Sequence, residues 1–400
     1  MQANGALDAV YNQQSVLIDQ AEKLGASLDD VLSKAGLRYD DLIYKDAYSK
    51  RWSGNRHTVL GEFDERAGAP KVVSFFTGCG GMDLGFEAVG FEHVAAFEFN
   101  ELFCKTLRRN RPNWSIYGPP THSGDVSKFD EISASLQNHL KGDFDGVFVG
   151  GPPCQPFSIA ANQRFAKWGE NFKRVGFAHD RNGNLLFDYV RLIVEFRPKV
   201  FLIENVPGLR DIDGGEQLSE AITILSDAGY NVEEPIVLNA ADYGIAQQRQ
   251  RLFVVGTRGT KKFIRPAVSN DRVGCASVLT DVPETVANHE TRSHQSGSIK
   301  RYRTLAYGAR DQLGRVDRLN PELPSKTVIA GGLNGGGRSH LHPEIPRTLS
   351  VRECARLQSF PDDYVFVGPT ARQFTQVGNA VPPVLAARIG LAILDSYYNA

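Results

Sequence analysis

GVFVGGPPCQPFS, residues 146–158, decides how the chain is read. Val147, Phe148 and Val149 have the pattern of a short strand buried on both faces. The strand runs into Gly-Gly-Pro-Pro, and that turn ends on Cys154. Two prolines fix the backbone and two glycines permit close approach. The turn can therefore hold a thiol rigidly at the carboxyl edge of a sheet, where open α/β folds bind ligands. An isolated cysteine is usually a small buried hydrophobe. Here four turn residues before it and polar Gln155 after it favour presentation over burial.

The same architecture recurs downstream. In FLIENVPG (201–208) an apolar strand ends on Glu204-Asn205 before a Pro-Gly turn, and in QQRQRLFVVGTR (247–258) Arg249 and Arg251 lead into a strand over Leu252–Gly256. A thiol, an acid and two guanidinium groups are thus expected on one edge of one sheet.

Upstream, Lys71–Thr77 reads as a strand opening onto FTGCGGMDLGF, where Gly78, Gly80 and Gly81 make a tight turn into a helix whose backbone N–H groups can approach a ligand. A dinucleotide fingerprint needs a third glycine where Asp83 stands, so NAD is disfavoured. About twenty residues on, Phe97-Glu98-Phe99 closes the next strand with an acid suited to ribose hydroxyls. Asp125, in SGDV, sits at a third turn.

Composition sets outer limits. The 400 residues, 42% of them apolar, suffice for a large core and about two or three domains. No apolar run approaches the ~18 residues of a membrane span and the N-terminus lacks a signal peptide's pattern, so the expected location is the cytoplasm. Cysteines 79, 104, 154, 275 and 354 are scattered and never form a CxxC pair, which argues against disulfides and zinc. The net charge of −1 conceals a gradient: residues 258–352 carry 16 Lys+Arg against 8 Asp+Glu, a local +8 that leaves −9 elsewhere. Such a region can attract phosphates. Lys300 and Arg301 are expected to do so, while Arg303, Arg310 and Arg338 are candidates to read guanine.

Residues 1–57 read as a helical extension, with apolar Leu7, Val10, Leu17 and Ala21, then a cap at Ser27 before Leu28, Val31 and Leu32. Its expected role is packing. The polar segment 158–183 is long enough to be a functional loop. Residues 261–347 show little periodicity, and GGLNGGG (331–337) lacks the Gly-Lys-Ser/Thr of a phosphate loop. Residues 350–360 and 376–390 read as helical again.

The ordered set Pro-Cys-Gln, Glu-Asn-Val and Gln-x-Arg-x-Arg resembles the DNA (cytosine-5) methyltransferases of bacterial restriction-modification systems, from about Val72 to Ile389. The resemblance implies an α/β fold: a Rossmann-like doubly wound methyltransferase sheet with a smaller, irregular target-recognition domain. The implied boundaries are an extension over 1–57, a catalytic domain over 58–260 and 348–400, and the recognition domain over 261–347. It implies S-adenosyl-L-methionine held by Phe76, Gly78, Gly80, Gly81, Glu98 (ribose), Phe99, Asp125 (adenine amino group), Val126, Pro153, Leu185 and Asn379. Cys154 is then the nucleophile that adds to cytosine C6, Glu204 protonates ring N3, and Arg249 and Arg251 orient that acid and the cytosine carbonyl, with no metal. Ser158 and Thr327 join the three arginines as implied DNA contacts, and the 158–183 loop closes over double-stranded DNA. A restriction endonuclease acting separately is an implied partner, and the protein is expected to act as a monomer.

Three rival classes fit less well. A zinc nucleobase deaminase needs His-x-Glu and Pro-Cys-x-x-Cys, but Phe157 stands where the second cysteine belongs. A tRNA cytosine-5 methyltransferase of the same fold carries a Cys-Phe-Thr element that is absent here. A catalytically silent DNA-binding regulator has no use for Cys154, Glu204 and Arg251 together.

Overall fold

Short apolar runs separated by glycine turns and amphipathic stretches dictate parallel strands joined by helical crossovers, which is what a computed structural model of the chain contains. The structure describes residues 2–46, 57–140, 142–153, 185–269, 272–330 and 338–398. The chain divides into two compact units. One comprises Met1–Thr58, Gly244–Gln248 and Ser269–Asn379, the other Val59–Tyr243, Arg249–Val268 and Ala380–Ala400.

The second unit is built on an eight-stranded sheet: β1 (Lys71–Phe75), β2 (Glu92–Phe97), β3 (Ile116–Tyr117), β4 (Val147–Gly150), β5 (Val200–Asn205), β6 (Asn231–Val232), β7 (Ile236–Asn239) and β8 (Gln250–Thr257). The order is β3-β2-β1-β4-β5-β8-β6, with β7 also on β8. β1 to β5 pair in parallel. β8 runs antiparallel to β5, with Glu204 opposite Phe253 and Asn205 opposite Leu252. This reversal explains why Arg249 and Arg251 stand just before and at the start of their strand whereas Cys154 and Glu204 follow or end theirs: the beginning of β8 lies beside the end of β5. The core includes Val73, Phe75, Phe97, Phe148, Tyr189, Phe201 and Ile203. Helix Gly81–Ala88 packs against Pro383–Ile393 so closely that a Cβ at Gly85 would overlap Pro383 O.

Three short strands complete the other unit: β9 (Arg310–Asp311), β10 (Val316–Arg318) and β11 (His340–Leu341). The N-terminal helix Gln2–Leu24 belongs to it, and the buried stripe is Gln14, Ile18 and Ala21, while Val10 is exposed. Ile18, Ala21, Leu28, Val31 and Leu32 share a core with Ile299, Tyr302, Val316 and Leu341. Ser27 precedes the helix Leu28–Lys34 as expected, though its side chain makes no capping hydrogen bond. The arm also solvates buried arginines. Arg318 is stacked between Tyr44 and Tyr307 and bonded to Asp46, and Arg347 reaches Asp40 and Glu353.

Two expectations differ from this architecture. The chain rejoins the sheet-bearing unit at Ala380 rather than near residue 348, because helices Val351–Leu357 and Thr370–Asn379 pack on each other within the first unit. Residues Thr370–Tyr398 also contain a stretch apolar and long enough, by composition, to cross a membrane. That stretch is 78% buried inside the protein, as a core helix would be.

Candidate active site

At the end of β5, Glu204 Oε1 lies 2.9 Å from Arg251 Nε, and both side chains are largely buried. Arg251 also donates to Gln250 O at 2.7 Å. Arg249 is fully buried, its backbone fixed by N–H donation to Asn239 Oδ1 (2.9 Å) and by acceptance from Ala240 N–H (2.9 Å). Burial pushes the Glu204 carboxyl above its ordinary range, while Arg251 and Arg249 pull against it. Burial likewise lowers the proton affinity of both guanidinium groups, so each charge present is poorly solvated and interacts strongly.

The turn after β4 is tied to the same strand end. Asn205 Nδ2 donates to Pro152 O at 3.1 Å, and its Oδ1 accepts from Val206 N–H at 2.9 Å. A Cβ at Gly151 would stand 2.7 Å from Glu204 Oε2, so a larger residue there would displace that carboxyl. Pro153 is exposed and ends this described stretch; Cys154, Ser158 and the 158–183 loop lie outside the described residues. Cys79, Cys104, Cys275 and Cys354 are buried thiols, none of them in a disulfide. Burial raises all four thiols, Cys104 and Cys275 to about 12, so none of these four is an available thiolate.

A second cluster occupies the ends of β1 and β2. Phe76 follows β1 with φ +53°, a left-handed conformation that non-glycine residues seldom adopt and that concentrates at ligand sites. Gly78 and Gly80 are also left-handed, and Gly81 begins the helix. Glu98, only 7% exposed, accepts N–H bonds from Gly78 (2.7 Å) and Asn100 (2.6 Å). Burial pushes its carboxyl up to about 7, against the pull of those two N–H groups. Phe99, beside it, is 67% exposed. Asp125 is half-buried in its turn, Val126 is in the core, and Leu185 opens helix Leu185–Phe196. Asn379 is the exposed end of helix Thr370–Asn379, in the first unit.

The expected DNA contacts fare unequally. Arg303 is 2% exposed and stacked on Tyr11, and its guanidinium donates to Ile43 O, Ser15 Oγ, Tyr11 O and Gln14 Oε1. This corrects its reading as a base-contacting arginine: it anchors the N-terminal arm. Lys300 pairs with Asp19 and Glu22, and Arg301 with Asp311, so their charges are largely spent inside the unit. Arg310 is exposed but pairs with Asp317 at 2.8 Å. Thr327 Oγ donates to Gln248 O at 2.7 Å. Arg338 lies 5.5 Å over the Phe374 ring, and burial together with neighbouring Arg292 lowers its proton affinity. Among the described residues neither Arg292 nor Arg338 forms an ion pair. Arg292 was missed because a lone arginine in a loop carries no local signal of its surroundings.

Adjoining strand ends of one sheet thus carry a buried acid paired with an arginine and, separately, a glycine turn bonded to a second buried acid. The chain belongs to the C-5 cytosine-specific DNA methylase family, which residues 70–395 match. It is 34% identical to the type II methyltransferase M.PspPI of Psychrobacter sp. (strain TA137) and 33% identical to M.Eco47II of Escherichia coli, each over 81% of this chain and 78% of the relative. A solved prophage-encoded protein from E. coli, assigned as a DNA modification methyltransferase, superposes with a TM-score of 0.66 at 24% identity, covering 83% of this chain and all of that one. The S. pombe Dnmt2 methyltransferase shares the fold at a TM-score of 0.57 and 14% identity, over 82% of this chain and 99% of its own. The chain is accordingly a DNA (cytosine-5) methyltransferase that uses a methyl donor.

Proposed function

We propose that this enzyme methylates C5 of a flipped-out cytosine within a specific double-stranded DNA site, using S-adenosylmethionine and a covalent Cys154 adduct at C6. The observation that carries this reading is the buried Glu204–Arg251 pair beside the Gly151–Pro153 turn that leads to Cys154. Cytosine C5 is a poor nucleophile until a thiolate adds at C6. Glu204, with its raised proton affinity, can donate to N3 and relieve the charge that addition creates. Arg251 holds the Glu204 carboxyl in place, and Asn205 holds the turn that leads to the thiol. Flipping the base costs a few kcal/mol, which loop and groove contacts would offset.

The strand-end cradle fits the proposed cofactor: a buried carboxylate with spare lone pairs suits ribose hydroxyls, and exposed Phe99 suits a purine face. When bound, S-adenosylmethionine supplies an electrophilic methyl group for C5. Glu98, Phe99 and Asp125 would hold its nucleoside. Glu98→Ala should weaken S-adenosylmethionine binding roughly tenfold or more, as expected for a missing buried acceptor worth about 1–3 kcal/mol. Calorimetric titration checks this, and an unchanged Kd removes Glu98 from the pocket. The sign of its pH effect is also fixed. With a folded value of about 7 against an ordinary 4.5, the group favours the unliganded fold below about 4.5 and withdraws that support as pH rises to about 7.

The proposed phosphate contacts are Arg292 and Arg338, with Thr327 in the same unit as a further DNA contact. The affinity of the Arg292→Ala/Arg338→Ala variant for nonspecific duplex should fall less steeply with salt, by about 0.9 in log–log slope for each phosphate that is no longer neutralised. Lys300→Ala/Arg301→Ala should leave the slope unchanged, since those cations face carboxylates. Equal slopes in all three proteins would move phosphate binding elsewhere. The function itself is tested by offering duplex DNA and tRNA separately as methyl acceptors. Label entering DNA as 5-methylcytosine supports the proposal, and label entering only tRNA overturns it. The proposal extends to a cytoplasmic modification enzyme working as a monomer, with a restriction endonuclease acting separately on the same site.

A further inference from the structure

The turn carrying Asp125 is held by a side-chain network that the reaction does not use. His122 Nδ1 accepts the Gly124 N–H at 2.9 Å, which places the ring proton on Nε2. Nε2 in turn donates to Ser135 Oγ at 3.1 Å, and Ser135 donates to Glu131 O at 3.1 Å. The Glu131 carboxylate takes both the N–H (2.9 Å) and the hydroxyl (2.7 Å) of Ser123, whose Oγ accepts the Asp125 N–H at 3.2 Å. Helix Phe129–Gln137, which bears Glu131 and Ser135, thus holds His122 and Ser123 directly and the Asp125 N–H through Ser123 Oγ.

Gly124 itself has no latitude. Its φ is +63°, and a Cβ there would overlap Glu98 O, so the turn is pressed onto the strand end that carries the ribose acid. The His122 ring also stands edge-on to Tyr117 at 5.2 Å, and Tyr117 O accepts the Glu98 N–H at 3.1 Å. Asp125 Oδ1 is occupied by the N–H (3.1 Å) and hydroxyl (2.6 Å) of Ser127, so Oδ2 is the oxygen available to a ligand N–H.

We infer that His122 is a positioning residue for cofactor selection: by accepting the Gly124 N–H it aims Asp125 Oδ2 at the adenine amino group. This rests on the reading that Asp125 receives that amino group. The neutral Nδ1 lone pair is the essential feature. Asparagine places its amide oxygen near the Nδ1 position and can replace it. Glutamine places its amide near Nε2 and cannot.

The test compares S-adenosylhomocysteine with its 6-deamino purine analogue by calorimetry on the full-length wild-type, His122→Asn, His122→Gln and Asp125→Ala proteins. Wild type and His122→Asn should both prefer the amino-bearing ligand, by about tenfold, the scale of one well-made buried hydrogen bond. His122→Gln and Asp125→Ala should bind both ligands alike, with the weakening confined to the amino-bearing one. If Asp125→Ala keeps the preference, the reading of Asp125 is wrong and the inference falls with it. If Asp125→Ala loses the preference but His122→Gln keeps it, or weakens both ligands equally, only the role given to His122 is overturned. Thermal melts of the two His122 variants distinguish general loosening of the turn from loss of aim.

Discussion

Cys154→Ala is expected to abolish methyl transfer, by about 10⁴-fold or more, while the variant still binds duplex DNA and cofactor. In the proposed mechanism the thiol contributes a covalent bond that forms only along the reaction path and little to ground-state binding, so removing it should strike kcat rather than affinity. The other four cysteines cannot substitute: each is buried, with its thiol raised by burial. Single-turnover transfer to duplex DNA, read beside a binding titration, is the appropriate measurement. Residual turnover within tenfold of the parent would sink the nucleophile assignment. Trapping with a 5-fluorocytosine duplex gives an independent readout, because a covalent complex should form with the parent and not with the variant.

Glu204→Gln should lower the rate by about 10²–10⁴-fold, the range typical of a missing proton donor. The amide keeps the shape and can still donate one hydrogen bond, but it delivers no proton to N3 and leaves Arg251 without its carboxylate partner. Because burial raises the Glu204 carboxyl, the parent should lose activity as pH climbs past that raised value, whereas the variant's remaining activity should lack this limb. A variant whose kcat stays within threefold of the parent would remove the acid role. Unchanged activity with a shifted DNA affinity would assign Glu204 to binding alone.

Strand-end chemistry was legible because it is local. A buried apolar run followed by a turn announces where a side chain will be presented, and Glu204 and Arg251 do meet at 2.9 Å. The antiparallel β8 was not announced, yet it is the reason that Arg249 and Arg251 come at the start of their strand rather than at its end. What the sequence could not convey was long-range electrostatics. A count of +8 over residues 258–352 says nothing of which cations are already neutralised, and Arg303, Lys300, Arg318 and Arg347 each have a partner 250 or more residues away in the N-terminal arm. The same blindness displaced the boundary at residue 348, since helices Val351–Leu357 and Thr370–Asn379 are bound into the first unit by contacts such as Gln358 Nε2 to Val377 O, which no local pattern encodes.

The arm's involvement has a consequence for engineering. Transplanting residues 261–347 alone onto another scaffold would strand the guanidinium groups of Arg303 and Arg318, and one side of Arg347, in an interior that no longer contains Tyr11, Gln14, Asp40, Tyr44 and Asp46. Deserted buried cations are among the costliest defects a fold can carry. Residues 261–347 are therefore not a detachable cassette: a chimera that exchanges them must carry the first 46 residues as well, and the two stretches are best varied as one inheritance.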